Sequence, residues 1–237
     1  AKPGHRKALP FASGTVIGIK LYPPIGFNPN PKDLKKKEVY LNFYKWCCKN
    51  KIPVTTHCQS ASGSYSVGRK KREVNKLTHA KNWWHLFEEN PELSDFCINF
   101  AHFGGEDGVE DLLDWYGIDQ DSWTYYLIRL LKKYPHTYAD ISAYDFADDD
   151  ASDNLVELMQ KDKDGRFSDE GSFMLEDKLL WGSDVPMVIS SRSFRKNGQR
   201  NGKAEYRHLY KKFLDTGISK NRLTCINPQN FLTFPET

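Results

Sequence analysis

Short apolar runs rich in β-branched or aromatic residues alternate along this chain with stretches of helical spacing. TVIGIKLYPP (15–24) reads as a strand stopped by a double proline, and residues 35–50 carry Val39, Leu41, Phe43, Tyr44 and Trp46 at the spacing of an amphipathic helix. IPVTTHC (52–58) predicts a second strand, and the basic, Gly/Ser-rich stretch from Gln59 to Lys76 predicts a loop. NWWHLFEEN (82–90) is a helix closed by Pro91, and FCINFAHFGG (96–105) a third strand. An insertion holding DLLDWYGIDQDS (111–122) precedes the helix WTYYLIRLLKKYP (123–135) and a fourth strand, TYADISAY (137–144). An acidic loop with Asp145 and Asp148 to Asp150 leads to a helix around NLVELMQ (154–160), then to a fifth strand, KLLWGSDVP (178–186). A loop of Ser, Arg, Lys and Gly, a helix over 204–216 and the terminal helical turn NPQNFL (227–232) complete the series.

Strands that alternate with helices predict βαβ units and a parallel sheet. The polar strand ends fall at Lys20, His57, His102, Ser142 and Asp184, with gaps of 37, 45, 40 and 42 residues, a near-regular period for one repeated βα unit. Strict alternation, taken outward from those ends, turns Gly18 and Tyr22 inward with Lys20, and Thr55 with His57. It likewise turns Ile98 and Phe100 inward with His102, and Leu180 and Gly182 with Asp184.

The 237 residues suit one domain, 1–237, with a loop-like lead-in over 1–14. Apolar residues at 39% allow a real core, and a net charge of +3 gives no reason to expect nucleic acid or a membrane as partner. No apolar stretch approaches a membrane span. Five cysteines without a CxxC pair read as reduced thiols, which points to the cytoplasm.

The strand ends carry the chemistry. Parallel α/β barrels place catalytic groups at the C-terminal ends of their strands, so two imidazoles, a carboxylate and a lysine would share one mouth. Imidazole and carboxylate suit zinc and similar divalent metals, with a position left for water. Taken singly, His57 could cap a strand, Asp184 could cap a turn, and Lys20 could be an ion-paired lysine.

IPVTTHC, INFAHFGG, YADISAY, LLWGSDVP and NPQNFL together resemble the amidohydrolase superfamily, and its amidohydrolase-2 branch in particular, over nearly the whole chain from Gly18 on. The resemblance implies an α/β fold, the (β/α)8 TIM barrel of the metallo-dependent hydrolases, of which the last five strand–helix units are present. It implies His57, His102, Asp184 and Lys20 as ligands of one or two divalent ions, most simply zinc, with Lys20 at the position where binuclear members carry a carboxylated lysine. It implies a hydrolase of a small carboxylate-, amide- or ester-bearing molecule that uses a metal-activated water, with Asp184 and His102 catalytic. Tyr22, Ser142 and Tyr144, at strand ends, are candidate substrate contacts. The family's first-strand His-x-His pair has no counterpart here, so a missing N-terminal barrel segment joins the small-molecule substrate among the expected partners; a homo-oligomer is compatible. A decarboxylase of the same family, or a non-catalytic barrel used for binding, stays open as the alternative.

Overall fold

Five strands pair in parallel in sequence order: β1 (Ile19–Leu21), β2 (Val54–Gln59), β3 (Ile98–Gly104), β4 (Thr137–Asp140) and β5 (Leu179–Leu180). The computed structural model describes residues 18–59, 68–113, 121–142, 144, 149–182, 195–196, 199–200, 211, 214 and 217–233. The helices are α1 (Leu34–Lys49), α2 (Lys71–Thr78), α3 (Lys81–Glu89), α4 (Glu106–Leu113), α5 (Trp123–Lys133), α6 (Asp149–Lys163) and α7 (Asn227–Thr233). A two-stranded antiparallel ribbon, β6 (Arg195–Lys196) with β7 (Gln199–Arg200), stands apart from the sheet. Among the described residues β1 and β5 are the edges of an arc, which is the open five-strand arrangement expected. The helix expected over 204–216 lies largely outside the described residues.

Local chemistry sets the helix starts. Asp33 accepts a hydrogen bond from the N–H of Lys36 at the head of α1, and Ser122 accepts one from Tyr125 at the head of α5. Three readings of the chain change. The insertion after β3 overlaps α4, which runs from Glu106 to Leu113. The end of the stretch taken as a loop after β2 is α2, whose buried face is only Val74 and Thr78, too little to register as a helical period. The acidic run after β4 opens α6 at Asp149, since acidic residues are favoured in a helix's first turn.

The sheet's two faces divide the core. On the helix side Val54, Cys58, Ile98, Phe100, Ala139 and Leu179 are buried against Tyr44, Trp83, Phe87, Leu127 and Leu130. Each large side chain fully buried there stabilises the fold by about 1.5–3 kcal/mol. The Trp83 and Phe100 rings meet edge to face with centroids 6.0 Å apart. Ile98 and Phe100 therefore face the helices, not the mouth that strict alternation assigned them. On the inner face, register places Thr55, Asn99 and Tyr138 side by side, and His57 beside Ala101. On the same face Cys97, Tyr138 and Leu180 form a second apolar cluster, against which Phe231 of α7 packs.

An ion pair inside the helix layer fixes the approach to β5. Lys132 Nζ lies 2.6 Å from Asp162 Oδ1, with side chains only 3% and 2% exposed. The ammonium also donates to the carbonyl of Phe173 at 2.9 Å, and Asp162 Oδ2 accepts the N–H of Leu175 at 2.8 Å. This joins α5 and α6 to the turn that feeds β5. Removing one partner strands the other charge, so Lys132→Met or Asp162→Leu alone should cost about 3–5 kcal/mol in urea unfolding, and the double replacement much less.

Candidate functional site

His57 and His102 end adjacent strands, but they reach the same mouth by different routes. His57 follows the alternation of β2. His102 follows Ala101, which already faces inward opposite His57, so regular β3 would turn it to the helices. Between the pairs His57–Ala101 and Gln59–Gly104 the register shifts, with β3 carrying one residue more than β2. This bulge re-aims the imidazole. Its backbone is left-handed at four successive residues, with φ of 72° at His102, 41° at Phe103, 81° at Gly104 and 82° at Gly105. Glycine takes such angles without strain, and a Cβ on Gly104 would lie 2.7 Å from Thr124 Oγ1. The His57 and His102 rings end with centroids 4.9 Å apart at 69°, both side chains buried.

The bulge hangs on Asp140, a buried carboxylate at the end of β4. Its Oδ1 accepts the backbone N–H of His102 at 3.2 Å, that of Ser142 at 3.1 Å, and the Ser142 hydroxyl. Its Oδ2 accepts from Asn99 Nδ2 at 2.7 Å. Ser142 in turn meets His102 Nδ1 twice, through Oγ at 3.0 Å and its carbonyl oxygen at 3.2 Å. The hydroxyl of Tyr144 lies 3.3 Å from the carbonyl of Phe103 and 3.2 Å from that of Gly105, donating to the bulge's own backbone. Gly182, after β5, passes so close that a Cβ would lie 2.8 Å from Ser142 Cβ and 3.2 Å from Asp140 Oδ1.

The remaining candidates fall as follows. The Tyr22 ring stands 4.9 Å from His57, tilted at 58°. Lys20 is solvent-exposed and pairs with Thr55 across β1 and β2. Burial above all, then the charges of His102 and Lys20, bring His57 down to about 3, so the ring is neutral near neutrality. Asp184 lies outside the described residues. Asp140 and Asn99 are the site residues that strand-end reasoning passed over; a carboxylate between the apolar Ala139 and Ile141 was the available signal, because burial of such a group demands partners.

Two buried imidazoles, one held neutral, fit half the shell of a divalent metal. Asn99 Oδ1 adds a buried acceptor on the inner face with no hydrogen-bond partner. Among the described residues no group of three or more His, Cys, Asp or Glu is placed to hold a metal ion.

No family model matches the sequence, and no curated protein matches it. Among solved structures the chain is similar to a probable 2-pyrone-4,6-dicarboxylic acid hydrolase from Acinetobacter baumannii with citric acid bound. The TM-score is 0.52 at 18% identity, over 91% of this chain and 63% of that one. It is also similar to an amidohydrolase from Burkholderia multivorans with bound zinc, at TM-score 0.51 and 10% identity, over 92% of this chain and 64% of that one. The chain thus spans just under two thirds of either. The likeness is one of fold, an α/β architecture of which five parallel strands are described here.

Two outcomes follow from this geometry. Asn adopts left-handed backbone far more readily than a β-branched residue, so His102→Val should lose about 1–2 kcal/mol more stability than His102→Asn in urea unfolding. His57 binds its proton more weakly folded than unfolded, so its contribution is complete above about 6.5 and is lost as pH falls toward about 3. Across that window the metal-free protein should lose up to ~1.4 kcal/mol per pH unit through this group, and His57→Gln should flatten that part of the slope.

Proposed function

We propose that this chain, whose fold is that of the amidohydrolase barrels, carries the metal site of a hydrolase acting on a small carboxylate-, amide- or ester-bearing molecule. The observation that supports this best is the facing pair of buried imidazoles, His57 and His102, at the C-terminal ends of adjacent parallel strands. Zinc is the metal we assign, because neutral imidazole is its ligand and the Burkholderia multivorans amidohydrolase of the same fold holds zinc. When bound, the ion would polarise water and the scissile carbonyl.

The chain's own residues then divide the work. His57 and His102 present ring nitrogens to the ion. The Asp184 carboxylate takes the proton of the attacking water and delivers it to the leaving group. Asn99 Oδ1 accepts a hydrogen bond from the bound molecule, and Tyr22 closes the side of the mouth beside His57. A carboxylate-bearing substrate suits the exposed ammonium of Lys20 on the β1 side, and the Acinetobacter baumannii protein of this fold was solved with citric acid. Among the described residues β1 is an edge strand, and further strand–helix units pairing there would complete the barrel and its ligand set. No helix among the described residues is long and apolar enough to cross a membrane.

Equilibrium dialysis against zinc, read beside turnover of a panel of small lactones, esters and amides bearing carboxylates, tests the assignment. His57→Ala and His102→Asn should each weaken zinc binding by at least ~10-fold. Zinc held with unchanged affinity by the double variant would sink the reading.

A further inference from the structure

We infer that Asp140 is a positioning residue that sets the tautomer of His102, acting through Ser142 to hold the ring proton on Nδ1 and leave the Nε2 lone pair for a ligand. The inference deepens the proposed function and takes its purpose from it. Its evidence is the direction in which each hydrogen bond must run.

Begin at Asp140 Oδ1. Two backbone N–H groups, of His102 and Ser142, point at this oxygen, and an N–H can only donate. An oxygen that accepts both has no proton to offer a third neighbour, so in its contact with Ser142 the hydroxyl is the donor. A hydroxyl has one proton. With that proton committed to Asp140, Ser142 Oγ can meet His102 Nδ1 only as an acceptor, across 3.0 Å. The carbonyl oxygen of Ser142, 3.2 Å from the same nitrogen, can likewise only accept. Both partners of Nδ1 therefore require an N–H there. Neutral imidazole carries one such proton, so Nε2 is left with its lone pair.

The arrangement is directional because of the carboxylate. Without an acceptor at residue 140 the Ser142 hydroxyl is free to turn and donate to Nδ1. Only the Ser142 carbonyl then still calls for a proton on Nδ1, so the Nε2–H form becomes populated, and in that form the nitrogen that should bind a ligand is a donor. A network that fixes a ligand's free ring nitrogen in this way raises its readiness to bind without touching the bound group. Asn99 holds the carboxylate from its far side through Oδ2, so the acceptor cannot rotate away.

The test is a nitrogen NMR measurement on metal-free protein with labelled histidine, at a pH of about 8.5 where imidazole is neutral. The His102 signals are assigned by their loss in His102→Asn. Wild-type His102 should show one tautomer, with its proton on Nδ1; a proton on Nε2, or a mixture, overturns the inference. Asp140→Ala should populate the Nε2–H form and lower zinc affinity by about 10–100-fold. Asp140→Asn, which keeps an acceptor oxygen, should retain the wild-type tautomer, separating acceptor geometry from charge. Should Asp140→Ala not fold, Ser142→Ala takes its place: it should give mixed tautomers, while Ser142→Thr restores the single form. A pure Nδ1–H signal that survives loss of the 140 acceptor, or of the 142 hydroxyl, also overturns it. The tautomer is read without metal, so the relay can hold while zinc fails to bind, in which case the hydrolase reading fails alone.

Discussion

The left-handed turn at His102 stands because a carboxylate inside the sheet receives its backbone N–H. Residues other than glycine held at positive φ cost on the order of 1–3 kcal/mol each, and this turn holds two of them, His102 and Phe103. Hydrogen bonds to a charged group contribute about 1.5–3 kcal/mol each, and Asp140 receives four. The four together amount to about 6–12 kcal/mol against about 2–6 kcal/mol for the strained pair, which is why the turn is tolerated. Everything else at the mouth follows from it. The His102 ring comes beside His57, Phe103 goes into the helix-side core, Tyr144 lies over the bulge carbonyls, and Gly182 is small enough to pass behind.

The same exchange explains why the inner face has two characters. Cys97, Tyr138 and Leu180 need only an apolar cover, and Phe231 supplies part of it. In register with Tyr138 and Leu180, Asn99 and Asp140 are buried polar groups, and each is stable only through partners on neighbouring strands. The transition takes a single step along β4, from Tyr138 to Asp140.

The alternation of runs was enough to read five parallel strands and α1, α3, α5 and α6, because each run is long and its breaks carry proline, glycine or capping residues, whereas α2 and α4 fell in stretches taken as loop and insertion. His57 was legible for the same reason, as the polar end of a regular strand. His102 was found by its motif, while alternation placed Ile98 and Phe100 on the wrong face. A register shift of one residue leaves almost no trace in hydropathy; only Gly104 and Gly105, directly after Phe103, marked backbone that most side chains avoid. Asp140 was missed because Ser142, two residues on, looked like the strand end. Asp184 lies outside the described residues, so its place beside the histidines rests on sequence alone.

The packing of Phe231 beneath the sheet carries a consequence for how the molecule assembles. Cys97 Sγ meets the carbonyl of Phe231 across 134 residues of chain. The strand pairs and their helices close over far shorter spans, so the order of events is set by loop entropy, with local βα units early and the underside last. Until α7 docks, a nearly formed sheet would present Tyr138 and Leu180 to solvent.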